Sequence, residues 1–319
     1  IFEFLGAVIA GGNVTSTVRK GIIDAAPLTE NPELLVFGML AALLAAAIWL
    51  MVASAQGWPV STTHSIVGAL VGFGVAGIGP SIVQWDKIWQ IVASWVISPL
   101  VGGTIAFLLM MSVRTVILNA ENPFEKAKQW GPAYVFLVGF IIALVTLFKG
   151  LKHLNVDLTI GASFAWAAVV GVIVAFVGWL FIRRRKLDPD ADRDFQFTNV
   201  ERVFIPMQVI TAAAMAFAHG SNDVANGIGP LAAIVSTVNS GGQVLQESAL
   251  PLWVLLLGGS GIVLGLATLG YRVMRTIGKK ITELTPTRGF CAELAAATTV
   301  VLASRTGIPV STTHILVGA

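Results

Sequence analysis

Of the 319 residues 55% are hydrophobic and only 12% are charged, about half the charged share of an ordinary soluble domain, and the mean hydropathy is +0.82. That excludes a water-soluble fold of this size. The net charge of +3 arises from 20 Lys and Arg against 17 Asp and Glu, with the basic residues set between apolar runs, which is membrane-flank placement and gives no support to nucleic-acid binding.

In chain order, Ile1 to Asn13 reads as a helix already under way; its apolar run carries Glu3 and has no basic region before it, so no cleavable signal peptide is expected. A hydrocarbon core of roughly 30 Å takes about 20 apolar helical residues. Stretches that qualify are Leu34 to Ala55, Ile91 to Val113, Ala133 to Phe148, Ile160 to Ile182, Leu252 to Met274 and Phe290 to Ala303. Two more are interrupted, Pro59 to Ile78 and Val203 to Val238. The second, 36 residues with His219-Gly220-Ser221-Asn222-Asp223 at its centre, predicts two half-helices meeting at membrane depth.

The polar segment Arg183 to Arg202 opens with Arg183-Arg184-Arg185-Lys186 and continues through Asp188, Asp190, Asp192 and Asp194, which predicts a solvated cytoplasmic linker. Arg272, Arg275, Lys279 and Lys280 mark a second cytoplasmic loop, whereas Asn239 to Leu250 lacks Lys and Arg and is expected outside. The chain therefore divides into a first transmembrane repeat over 1–120, connecting helices and linker over 121–202, and a second repeat over 203–319. The lone cysteine, Cys291, excludes a disulfide framework or CxxC metal site and reads as core packing.

An internal repeat is the strongest signal. Gly57-Trp58-Pro59-Val60-Ser61-Thr62-Thr63-His64-Ser65-Ile66-Val67-Gly68-Ala69 recurs 250 residues later as Gly307-Ile308-Pro309-Val310-Ser311-Thr312-Thr313-His314-Ile315-Leu316-Val317-Gly318-Ala319, identical at ten of thirteen positions. Duplicated halves characterise secondary transporters, which place substrate where the repeats meet. Five apolar crossings separate the Arg19-Lys20 loop from the Arg183 cluster, an odd number, so those loops face opposite sides; if the stretch at 203–238 crosses once, Lys279-Lys280 shares the Arg183 side, the equivalent loops of the two repeats fall on opposite faces and the topology is inverted. The fold class is accordingly an all-α polytopic membrane protein, an inverted-repeat transporter with broken or re-entrant helices.

In each copy, Pro and three hydroxyl residues stand immediately before an apolar helical run, where Ser and Thr cap the helix and its first N–H groups lack intrahelical partners. Donors and the positive end of the dipole then converge without a full charge, which suits a small oxyanion. This makes Ser61, Thr62, Thr63, Ser311, Thr312 and Thr313 the candidate substrate residues; plain capping of a membrane helix is the alternative. Asn222, Asp223 and Asn226 form a second constellation. An unpaired carboxylate at the midplane costs several kcal/mol and must be offset by a proton or cation, with the Asn amides as further oxygen ligands, so these three are the candidate Na⁺ or H⁺ site. Structural capping by Asp223 is the alternative there. Glu3 and Glu293, also in apolar surroundings, are further candidates for the coupling ion. His64, His219 and His314 lie next to the motifs at spacings that match no recognised metal site, and they read as capping or supporting hydrogen bonders.

Together, Gly21-Ile22-Ile23-Asp24, both Pro-Val-Ser-Thr-Thr-His copies, Phe217 to Pro230 with His219-Gly220-Ser221-Asn222-Asp223-Val224-Ala225-Asn226, and Gly289-Phe290-Cys291-Ala292-Glu293-Leu294 resemble the PiT family of inorganic phosphate transporters, the bacterial low-affinity members above all. The resemblance runs from Ile1 to Ala319. It implies symport of inorganic phosphate with H⁺ or Na⁺ through an inverted-repeat helical fold in the plasma membrane, the bacterial inner membrane, with no enzymatic activity and no cofactor beyond the coupling ion; a homodimer is left open. It also implies that the Ser-Thr-Thr and Asn-Asp-x-x-Asn segments are the substrate and cation elements, with Glu3 and Glu293 as the acidic positions of the two halves. Ser221 stands where members of that family usually carry Ala. A first Asn-Asp copy is expected before Ile1 and the last helix is expected to run past Ala319, so the sequence reads as a piece of a longer protein that does not transport by itself. Sulfate, also tetrahedral, is the rival substrate. A membrane hydrolase using Asp223 with His219, or Ser61 with His64, lacks HExxH and GxSxG, and a passive anion channel would not need Asp223 at depth.

Overall fold

The computed structural model describes residues 1–12, 22–24, 26–149, 159–184, 193–244, 251–282, 284–305 and 310–319. Among them the chain is helical: α1 Phe2–Ala10, α2 Pro32–Gln56, α3 Thr62–Gly77, α4 Trp85–Leu118, α5 Pro123–Lys149, α6 Ile160–Arg183, α7 Arg193–Asn239, α8 Leu252–Ile281, α9 Pro286–Arg305 and α10 Thr312–Gly318. Proline opens α2, α5 and α9, where its missing N–H would be unpaired in any case. Six of the described helices are long and apolar enough to cross a membrane: α2, α4, α5, α6, α7 and α8. Their outward faces carry large apolar side chains, among them Phe37, Trp89, Leu100, Phe181 and Leu264, as a lipid-facing surface requires.

The axis of the molecule is α7, and here the structure corrects the sequence reading. The stretch from Val203 to Val238 is one unbroken helix rather than two half-helices, and the segment from Arg193 to Arg202 forms its first turns rather than linker. Two features make a break unnecessary. The polar side chains at 219–226 find partners on neighbouring helices, so no backbone group has to be released to serve them. The excess length is absorbed lengthwise: residues Thr198–Asn239 rise about 63 Å, twice the hydrocarbon thickness, so the ends of α7 stand beyond the apolar layer.

Broken elements do occur, at the duplicated motif. Helix α2 ends at Gly57, whose φ of +72° lets its N–H and that of Trp58 turn back onto Ser54 and Ala53, a left-handed cap that only glycine adopts without strain. Ser61 is extended, and α3 returns alongside α2, with Phe73 packed on Gly38. Helices α9 and α10 form the equivalent hairpin in the second repeat. The Phe290 to Ala303 stretch is thereby one arm of a buried hairpin, with Phe290, Ala295, Ala296 and Val300 at 0% exposure.

Contacts along α7 fix the relative direction of the two hairpins. Thr287 meets Glu201, Glu293 meets Thr211, and Ala296, Ala297 and Val300 pack on Met215 and Ala218, so α9 runs parallel to α7 from its N-terminal end. Pro32, the first residue of α2, lies against Gly242 just past the other end of α7, and Leu35, Met39, Ala42 and Ala46 join Ala225 and Ala233 in one core cluster. The hairpins thus enter from opposite ends of α7, the geometry of an inverted repeat. The Arg19-Lys20 loop used in counting crossings lies outside the described residues, as does the whole Arg185 to Asp192 run.

Candidate functional site

The tips of the two hairpins meet at one carboxylate. Ser61 and Ser311 are N-caps in extended conformation, each accepting a hydrogen bond at 3.1 Å from the backbone N–H three residues on, at His64 and His314. That places the next residue of each motif at the same spot. Thr62 donates to Asp223 Oδ2 at 2.8 Å and Thr312 donates to the same oxygen at 3.1 Å, two hydroxyls 250 residues apart in sequence converging on a single atom.

Asp223 is held from its own helix as well. Asn222 Nδ2 donates to Oδ1 at 2.9 Å and to the Val310 carbonyl at 3.2 Å, while Asn226 Nδ2 donates to both Thr62 and Thr63 hydroxyls at 3.2 Å. Thr63 in turn donates to the Val310 carbonyl at 3.3 Å. Ser61, Thr63, Ser311, Thr312, Asn222, Asp223 and Asn226 are all buried. Asn222 Oδ1 is buried too and has no hydrogen-bond partner among the described residues, an oxygen ligand held ready beside the carboxylate.

On the far side of Asp223, the His219 ring bridges to α1: Nε2 lies 3.1 Å from Asp223 Oδ2, and Nδ1 lies 2.8 and 2.9 Å from the two Glu3 oxygens. Helices α1 and α7 approach this closely because Gly6 faces the Phe217 backbone and Gly220 faces the Glu3 backbone, where any Cβ would overlap a carbonyl. Glu3 is therefore a member of the network through His219. Glu293 is not brought to it: it accepts from Thr211 at 2.8 Å, twelve residues and about 18 Å of helix rise away from Asp223. Thr313 is half-buried at the start of α10, and no bond from its hydroxyl to the Asp223 cluster occurs among the described residues.

Two participants were not legible beforehand. The Val310 carbonyl is a backbone acceptor and carries no residue-type signal. The ring cluster, His64 at 3.6 Å from Trp95 and 4.4 Å from His314 between centroids, needs the third dimension to bring α4 against both tips. Among the hydrolase pairs, Ser61 and His64 are joined through the His64 backbone N–H and not its ring, which is a cap and not a nucleophile with its base.

The site can do two things chemically. It offers clustered hydroxyl and amide donors at the opening of the 16-residue α3, which suits an oxyanion, and it offers carboxylate and amide oxygens, which suit a hard cation. Known proteins resemble the chain along its whole length. The chain is 45% identical over its whole length to a Haemophilus influenzae protein described as "Putative phosphate permease", covering 76% of that protein. It is 41% identical to the Arabidopsis thaliana protein "Inorganic phosphate transporter 2-1, chloroplastic", of which it covers 57%. A solved structure described as "The sodium-dependent phosphate transporter" superposes on all of this chain and 76% of that one, with a TM-score of 0.88 at 39% identity. The sequence profile described as "Phosphate transporter family" matches residues 1–319, and the chain belongs to that family.

Proposed function

We propose that this multi-pass membrane protein carries inorganic phosphate in symport with Na⁺ or H⁺ across the plasma membrane, with repeats 1–120 and 203–319 supplying one hairpin each to a shared site. The observation that carries the reading is the convergence of Thr62 and Thr312 on Asp223 Oδ2. The hydroxyls that would donate to phosphate are the ones that hold the carboxylate. A cation received by Asp223, Asn222 Oδ1 and Asn226 draws the carboxylate charge toward itself and releases those hydroxyls, with Ser61, Thr63, Ser311 and Thr313, to the anion. Cation and phosphate then favour each other's binding, which is the thermodynamic content of coupling. Glu3 joins the cation element through His219, whereas Glu293 would serve a cation at a separate depth of the path.

Radiolabelled phosphate uptake into proteoliposomes containing the full-length protein, with Na⁺ and H⁺ gradients imposed one at a time, tests this directly. Concentrative uptake is expected under one of the two gradients, competed by arsenate and not by sulfate. Uptake that survives removal of every cation gradient would make the protein a passive channel, and equal competition by sulfate would widen the substrate to tetrahedral oxyanions in general.

A further inference from the structure

Two cavities lie on the side of α7 turned away from Glu293 and Thr211. The first, about 480 Å³, is bounded by α5, α6 and α7, with Ile173, Val177 and Phe181 on one wall and Val203, Pro206 and Met207 on the other. The second, about 430 Å³, continues it past Phe217 and Phe2 between α5, α7 and α1. They share Ile210. Along α7 the joined slot runs from Arg202 to Phe217, about 22 Å of helix rise, somewhat more than one leaflet of a hydrocarbon core. Its lining is apolar throughout except for Thr146 and, at the end, Arg202.

That end is basic. Arg202 is exposed at the mouth of the slot, and among the described residues it makes no ion pair. Glu201 beside it is turned the other way, onto the backbone N–H and hydroxyl of Thr287. Ile182, at the same end of the slot, leads into the exposed Arg184, whereas the Arg183 guanidinium lies over the Trp179 ring on the other face of α6. An apolar channel of acyl-chain length that ends in guanidinium groups at the cytoplasmic boundary matches one kind of molecule in both its parts.

We propose that this slot binds a single phospholipid with an anionic headgroup, its acyl chain lying along α7 from Val203 to Phe217 and its phosphate on Arg202 with Arg184. A zwitterionic lipid fills the same channel but gains less from the arginines, so the site is selective for net negative headgroups. This site is distinct from the phosphate site, which lies at the hairpin tips and uses hydroxyls instead of charge.

The test is native mass spectrometry of the full-length protein in detergent, titrated separately with phosphatidylglycerol and phosphatidylcholine of the same acyl composition. Tighter binding of one phosphatidylglycerol is expected, and Arg202→Ala should cut that preference about fivefold while leaving phosphatidylcholine binding unchanged, with Arg202→Lys retaining most of it. Ile173→Trp, which fills the channel at an exposed position, should weaken both lipids. Equal affinity of the two lipids for the wild type, or a preference that survives Arg202→Ala, would overturn the proposal. A dimer that persists without lipid and is lost in Ile173→Trp would place a second copy in the slot and overturn it likewise.

Discussion

At the scale of single residues, the site is built by shared acceptors. Asp223 Oδ2 takes Thr62, Thr312 and His219, and the Val310 carbonyl takes Thr63 and Asn222, so each side chain is fixed by a neighbour that is fixed in turn. A hydrogen bond to a charged group contributes about 1.5–3 kcal/mol, so Thr62→Val and Thr312→Val should each lower phosphate uptake at subsaturating substrate roughly tenfold. Because both hydroxyls serve one oxygen, the double variant should fall short of the product of the two single losses. A double-mutant cycle on uptake rates measures that shortfall, and strictly multiplicative losses would separate the two threonines. Ser65 gives the control: its hydroxyl donates to the Ser61 carbonyl within α3, and Ser65→Ala should leave uptake within about twofold, since such local back-bonds contribute little.

At the scale of elements, the spans were legible because a stretch of about 20 apolar residues has few alternatives. The duplicated motif was legible because identity at ten of thirteen positions announces two copies of one structural element. The continuity of α7 was not. His219, Asn222 and Asp223 in an apolar run look like a break when read alone, and only the partners on α1, α3 and α10 show that their side chains are satisfied with the helix intact. Glu293 shows the same limit: its apolar setting was visible, but its distance from Asp223 depends on the parallel register of α9 against α7. The tight crossing of α1 and α7 supplies a test at this level. Gly220→Ala would drive a Cβ into the Glu3 backbone and should lower stability by about 1–3 kcal/mol, whereas Gly227→Ala, on the same helix with open space around it, should be neutral or slightly stabilising. Thermal unfolding in detergent compares them, and equal melting temperatures would mean that α1 does not depend on that close approach.

At the scale of the whole molecule, the decisive arrangement is two hairpins entering from opposite ends of one long helix and touching at its centre. By the positive-inside rule, Arg183, Arg184 and Arg202 predict a cytoplasmic N-terminal end of α7, and Arg272, Arg275, Lys279 and Lys280 at the end of α8 predict the same side. In intact cells, Asn239→Cys should react with an impermeant maleimide from outside and Arg288→Cys should not, with buried Cys291 contributing no background. Labelling of both from the same side would refute the inverted entry of the hairpins. The same architecture explains why one acid can answer to both halves of the chain. Asp223 is where the two repeats share an atom, so whatever neutralises it is felt at both tips at once.

The most direct test is gradient-driven phosphate uptake by full-length Asp223→Asn in proteoliposomes beside the wild type. Loss of the charge that gathers Thr62, Thr312 and the coupling cation should reduce uptake on the order of 100-fold, two charge-assisted bonds' worth, and abolish its dependence on the imposed gradient. Uptake by Asp223→Asn at the wild-type rate and with the wild-type gradient dependence would contradict the assignment of this carboxylate as the meeting point of cation and phosphate.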